Sequence, residues 1–456
     1  MGKNEVTGMN KIKNKFSAEL IITASFLISL IICLWVVIIH PKTTYILPSH
    51  LLRIYLIIIF LLYIIKTAKF STINKLRTAD VLLLIMGALG VISVIFAINK
   101  DMAIDGMYGR YEGIFSILTY YALFYTASNI KDEKEKKILL FVIISILVFS
   151  SIVGIITGLG GFDSVNRAWK NVASIPYGNP NFFGTIATLT VAAGIGIFIF
   201  FNDKKYTLLG IFTYISGVMA VYSCDSSGPI VGNIMVFLLV LVLQTVLCIK
   251  QKDKKAFLHF AGKFLLTIIL YIGILFLMNY LRDGRIANEF NHNAENLKGG
   301  ITADSFMTSR MKIWKAAFRE FPNYWLHGVG VDNFYYVSEY AGINTSKIYY
   351  DKAHNEYLQI MLTEGLASAV IYISFLFVLF IKALKSFKEN VAFHAWLYLC
   401  CLTAFFAYIS QAFFNIRIIH VTPFFWIICG LMYNNPCSQI NIAKKKNTAA
   451  SANENS

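Results

Sequence analysis

The chain has 456 residues, 57% of them hydrophobic and only 14% charged, with a formal net charge of +16. A soluble protein of this length carries far more charge, so a soluble globular class is excluded. The positive charge does not point to nucleic acid, because the lysines are dispersed among short loops between apolar runs and form no single patch.

Residues 1–17 form a short basic tail, and the apolar run after it reads as an uncleaved signal-anchor. Similar runs of roughly 17 to 25 residues recur along the chain, the length that crosses about 30 Å of hydrocarbon. The period-2 alternation of a membrane barrel is missing. Twelve spans are expected, at about 18–39, 47–65, 80–98, 113–129, 137–158, 181–201, 206–223, 229–249, 257–280, 357–381, 391–413 and 417–433. Tyr and Thr dilute the span at 113–129, and losing it would invert the second half. Residues 18–433 are therefore read as one all-α transmembrane domain, and 434–456 as a polar, disordered cytoplasmic tail.

Lysines mark alternate loops: Lys11 to Lys15, Lys66 to Lys75, Lys131 to Lys137, Lys204 and Lys205, Lys250 to Lys255, Lys382 to Lys388, and Lys444 to Lys446. With twelve spans, all of these lie on one side, which predicts a multi-pass protein of the cytoplasmic membrane with both termini cytoplasmic. Residues 281–353 then form one long extracytoplasmic loop. Of seven cysteines, Cys33, Cys248, Cys400, Cys401 and Cys429 fall in spans and Cys437 in the tail, leaving only Cys224 near the outer surface. No disulfide framework or metal-ligand spacing follows, and small apolar filler is the plain reading.

Several polar features lie at the outer ends of the spans. The first outer loop has no Asp or Glu, and Asp101 with Asp105 in the second is weak evidence for a metal. Arg110 follows in Tyr108-Gly109-Arg110-Tyr111-Glu112-Gly113, where the glycines allow close approach of a headgroup. Arg167, Lys170 and Arg417 are further outward cations. The piece Gly178-Asn179-Pro180-Asn181-Phe182-Phe183-Gly184 opens a helix. Asn179 and Asn181 serve either as a plain cap or as part of an anion site at that helix end.

The long loop has the densest set. Residues 305–321 have helical periodicity, and Pro322 is expected to stop the helix. Arg310 stands four residues before Trp314, at the edge of the apolar stripe. It is either a snorkelling cation on an interfacial helix or a guanidinium held toward a phosphate. Gly328-Val329-Gly330 is either a turn or a weak phosphate cradle. His354 sits in the last polar turn before the tenth span, as an interfacial residue or as a general base, with Asp351 and Glu356 close enough to orient it. Glu364, about ten residues deeper, is expected to face the bundle interior.

Together, the Asn179-Pro180-Asn181 piece, Ser309-Arg310 through Phe334, and His354-Asn355-Glu356-Tyr357-Leu358-Gln359 with Glu364-Gly365 resemble the O-antigen ligase and Wzy-type polysaccharide polymerase superfamily. The likeness spans roughly residues 100–435. It implies a GT-C-like membrane glycosyltransferase that moves a glycan from an undecaprenyl diphosphate carrier to a glycan, lipid or protein acceptor. It also implies action outside the cytoplasmic membrane without metal or other cofactor, with Arg310 and His354 as the family's loop Arg and His. Inversion is the expected outcome of direct displacement. Many members carry Ser-Arg-Gly before the equivalent of the eighth span; here Tyr222-Ser223-Cys224-Asp225-Ser226-Ser227-Gly228-Pro229 puts Ser227 at the arginine's place. Arg110, Arg167 or Arg285 are the candidate substitutes. A twelve-span flippase or exporter, or a non-catalytic assembly partner, is the alternative from another class. A transporter would place ionisable residues at mid-membrane.

Overall fold

The computed structural model describes residues 16–39, 46–161, 171–201, 203–251, 254–288, 291, 295, 310–346, 348–389, 395–433 and 439–441. The expected Arg167 and Lys170, residues 305–309 of the loop helix, Cys437 and the last lysines lie outside these residues. The first half consists of α1 (Ala18–Ile39), α2 (Ile46–Phe70), β1 (Thr72–Asn74), α3 (Thr78–Ile95), the short α4 (Lys100–Asp105), α5 (Ile114–Ser128) and α6 (Glu133–Gly158). Then come α7 (Pro180–Phe200), α8 (Lys204–Ser223), α9 (Ser227–Gln251) and α10 (Lys254–Leu281). The long loop contributes α11 (Arg310–Tyr324) and α12 (Phe334–Tyr340), followed by α13 (Glu356–Thr363), α14 (Leu366–Glu389), α15 (Ala395–Gln411), α16 (Thr422–Tyr433) and β2 (Gln439–Asn441).

Among the described residues, nine helices are long and apolar enough to cross a membrane. Three further apolar helices are shorter: Ile114–Ser128, Leu399–Gln411 and Thr422–Tyr433. The chain is a polytopic helical membrane protein, and each of these helices overlaps a stretch read as a span from the sequence. The dilute stretch at 113–129 is α5, whose Tyr120, Leu123 and Phe124 are buried against α16 and α2. A helix surrounded by protein needs no lipid-facing apolar coat. Its Thr119 and Thr126 hydroxyls are satisfied by donating to Phe115 O and Ala122 O one turn back.

The core centres on α7, which is buried along its length and packs on α8, α15, α9 and α6. A second aromatic nucleus joins α5, α14, α15 and α16: Tyr408 stacks on Phe425 at 4.0 Å, and Trp426 meets Phe375 at 5.3 Å and Tyr121 at 5.0 Å.

Helix ends gather on two faces. On one, Ser17 donates to Glu135, Lys66 pairs with Glu19, and Arg77 holds Asp80 and the Ser128 hydroxyl. Strand β1 pairs antiparallel with β2 on this face, so residues 439–441 of the tail expected to be disordered are an ordered strand. On the opposite face the loop after α3 meets the long loop: Ile98 N–H donates to Val329 O, and Asn99 N–H to Asn333 Oδ1 at 2.9 Å.

Two expectations are corrected. The tenth span is not one helix: it breaks between α13 and α14 at Glu364-Gly365, where Gly365 adopts φ +89°. A Cβ there would meet Leu326 O at 2.5 Å, so the long loop's own backbone occupies the space. Pro322 does not stop the loop helix, which continues through it to Tyr324.

Candidate active site

The site forms where the long loop returns to the bundle. Asn355 caps α13, its Oδ1 accepting the Leu358 N–H at 3.0 Å. Ala353 N–H donates to Gln359 Oε1 at 2.7 Å, and Trp314 of α11 donates Nε1–H to Ala353 O at 3.0 Å. His354 lies between these anchors with φ +48°, a left-handed conformation that is strained for a residue with a Cβ. The backbone turn that carries the imidazole is thereby anchored on both sides.

Arg310, the first residue of α11, lies within electrostatic reach of that imidazole. Burial first, then the Arg310 charge, push His354 down to about 4, while Asp351 pulls the other way. Arg110 grips Asp351 with both arms of its fork, Nε to Oδ2 at 2.6 Å and Nη2 to Oδ1 at 3.3 Å. Burial raises the Asp351 carboxyl, but Arg110, Lys352 and His354 outweigh it and hold the group below its ordinary range. The Arg110 guanidinium also sits 5.7 Å from the Phe182 ring, which links this cluster to the Asn-Pro-Asn segment.

The glycine segment is a clasp. Gly328 N–H donates to Tyr324 O, Val329 N–H to Leu362 O and Gly330 N–H to Thr363 O, so these three donors are engaged and do not form a phosphate cradle. Downstream, Asp332 pairs with Lys352 and accepts the Met107 N–H at 2.7 Å, while Asn333 Nδ2 donates to Asn99 O. These bonds pull the segment after α4 onto the long loop and deliver Arg110 to Asp351.

The remaining expected residues are placed elsewhere. Asn179 caps α7, accepting the Asn181 N–H at 2.8 Å, and Asn181 Oδ1 accepts the Ser226 hydroxyl at 2.7 Å. Glu356 does not orient His354: it is buried with one oxygen accepting from Tyr372 and the other from Tyr408. Arg417 is no vestibule cation; it is buried against Glu364 at 2.6 Å. Arg285 holds Asp225 at 2.7 Å. Beside it, the buried Arg282 donates to Asp225 Oδ1, Tyr222 O and Asn171 O. Arg282 therefore brings a guanidinium to the segment in which Ser227 replaces the family arginine. Sequence reasoning missed Arg282, Asp332, Lys352 and Glu112; the only signal for Arg282 was a charge directly after the last apolar turn of α10. Glu112 accepts from the Tyr120 hydroxyl at 2.5 Å, and burial pushes its carboxyl up to about 7 against the pull of Lys352 and Arg417. Among the described residues, no group of three or more His, Cys, Asp or Glu is placed to hold a metal ion.

This geometry coincides with a family match. Residues 209–373 match the O-antigen ligase family, Wzy_C. The O-antigen ligase segment includes Arg310, the glycine clasp, His354 and Glu364, and supports the resemblance read from the sequence. Arg110 and the Asn179–Gly184 piece lie outside it. Comparison with curated proteins and with solved structures gave no match. The chain is thus a multi-pass membrane protein in which residues 209–373 are similar to the O-antigen ligase family.

Proposed function

We propose that the protein transfers a glycan from undecaprenyl diphosphate to an acceptor hydroxyl at the extracytoplasmic face of the cytoplasmic membrane, as a ligase or polymerase. The observation carrying this reading is the convergence of Arg310, the Arg110–Asp351 pair and a conformationally strained His354 at one turn. The acceptor oxygen attacks the anomeric carbon as the bond from that carbon to the diphosphate oxygen breaks, with inversion. His354 Nδ1 or Nε2 takes the hydroxyl proton, a role worth about 10² to 10⁴ in rate. Arg310 offsets the charge growing on the departing diphosphate. Arg110, committed to Asp351, acts in this scheme by positioning that carboxylate, which favours the imidazolium once the proton has moved. The reaction needs no metal in this scheme.

The test is glycan transfer by purified protein in nanodiscs with a lipid diphosphate donor and excess EDTA. Wild type transfers at full rate. His354→Ala and Arg310→Ala lose at least 100-fold while reaching the membrane at normal levels, and Arg310→Lys recovers little because a point charge lacks the fork. Wild-type rates in His354→Ala would remove the base assignment, and a loss restored by Mg²⁺ would redirect attention to Asp101 and Asp105.

A further inference from the structure

Four tyrosines of the long loop make a continuous outward patch beside the site. Tyr335 and Tyr336 are 5.5 Å apart, Tyr336 and Tyr340 6.4 Å, and Tyr335 and Tyr349 6.4 Å. Tyr336 packs partly on the loop's small core, α12 is anchored inward by Phe334, Val337 and Ser338, and Tyr340 and Tyr349 stand outward, 58% and 62% exposed. Polar groups stand among the rings. Asn344 Nδ2 donates to Glu339 Oε2 at 3.1 Å, and Asn99 Nδ2 approaches the Tyr336 hydroxyl at 3.4 Å. The patch is continuous with the site, because Tyr349 lies two residues before Asp351 and within electrostatic reach of Arg110.

We infer that Tyr335, Tyr336, Tyr340 and Tyr349 form a saccharide-binding wall that stacks pyranose rings of the glycan and leads it to His354. This inference rests on the glycosyltransferase reading. A pyranose has an apolar C–H face and a rim of hydroxyls, and aromatic rings interspersed with a carboxylate and amides can engage both. Tyrosine gives a large amphipathic surface at little cost in side-chain entropy. The exposed residues nearer the end of α3 are different in kind: Phe96, Phe318, Trp325 and Leu326 suit a lipid surface.

The experiment separates binding from turnover. The probe is a set of lipid-free oligosaccharides of one to four repeat units, released by mild acid from the producing cell's own lipid carrier. Binding is measured to the full chain in nanodiscs in a His354→Ala background. Tyr335→Ala and Tyr349→Ala each weaken binding about tenfold, the scale expected when one aromatic ring is removed from an interface, whereas the Phe replacements stay within about twofold. Equal binding by the Ala and parent proteins overturns the wall, as does the lack of binding up to millimolar oligosaccharide. Phe replacements that weaken binding as much as Ala also overturn it, since ring stacking would then not hold the sugar. In Tyr349→Trp, quenching by brominated lipid would place the patch in the bilayer and overturn the inference. Tyrosine-dependent binding in a protein that never transfers glycan would sink the catalytic reading and leave the wall standing.

Discussion

In the proposed reaction His354 accepts the acceptor's proton, and its charge state suits that role. An imidazole pushed down to about 4 is neutral at pH 7, so it is ready to take a proton before the donor arrives. Since kcat/KM reports the free protein, its acid limb is expected near pH 4, not near 6.5. Bound diphosphate adds negative charge beside Arg310 and favours the imidazolium, so the acid limb of kcat should lie at higher pH than that of kcat/KM. Removing the Arg310 charge acts in the same direction, and the residual activity of Arg310→Gln should show a kcat/KM limb displaced upward. Coincident limbs at 6.5 in all three measurements would mean that His354 is not the titrating base. The sign for stability follows from the same depression. Between pH 6.5 and 4 the unfolded chain binds a proton at this site and the folded chain does not, so the contribution present above 6.5 is lost as pH falls toward 4.

At the scale of elements, the site depends on the broken helix α13–α14 and the glycine clasp that fills the break. Gly328 adopts φ +76°, and a Cβ there would meet Thr363 O at 2.2 Å. Leu366 N–H donates to Trp325 O at 2.8 Å, so the break in one segment satisfies the end of the other. Gly328→Ala therefore adds backbone strain and a clash with another backbone, and is expected to cost about 1–3 kcal/mol. Gly342, at φ +65° with nothing within 4 Å of its Cβ position, provides the control: Gly342→Ala carries the strain alone, about 1 kcal/mol. Thermal unfolding in detergent should rank the midpoints as wild type, then Gly342→Ala, then Gly328→Ala, with glycan transfer lost mainly in the last. Equal midpoints for the two variants would mean that the clasp does not hold the loop.

Across the whole molecule, what the sequence made legible was whatever is written locally. Apolar runs of spanning length mark the helices, Asn179-Pro180 marks the start of α7, and the polar turn at His354 marks the mouth of α13. Features formed by distant residues stayed hidden. Arg110 meets Asp351 across 241 positions, and no local pattern pairs them. At the break, Gly365 lies against the carbonyl of Leu326, a residue of a different segment that no local pattern places there. Arg417 read as an outward cation because its buried partner Glu364 belongs to another segment. The described Lys66 and Lys136 lie on the face that carries Glu135 and Arg77, and the site lies at the other, so orientation follows from deciding which face is cytoplasmic. By the positive-inside bias, this face is expected to be cytoplasmic. In a cysteine-free background, Lys134→Cys and Ser346→Cys place single thiols at exposed positions on the two faces. A membrane-impermeant maleimide added to intact spheroplasts should label the Ser346→Cys protein at once, and the Lys134→Cys protein only after permeabilisation. The reverse pattern would put the His354 turn in the cytoplasm, where a donor facing outward could not reach it, and equal labelling of both would break the two-face arrangement itself.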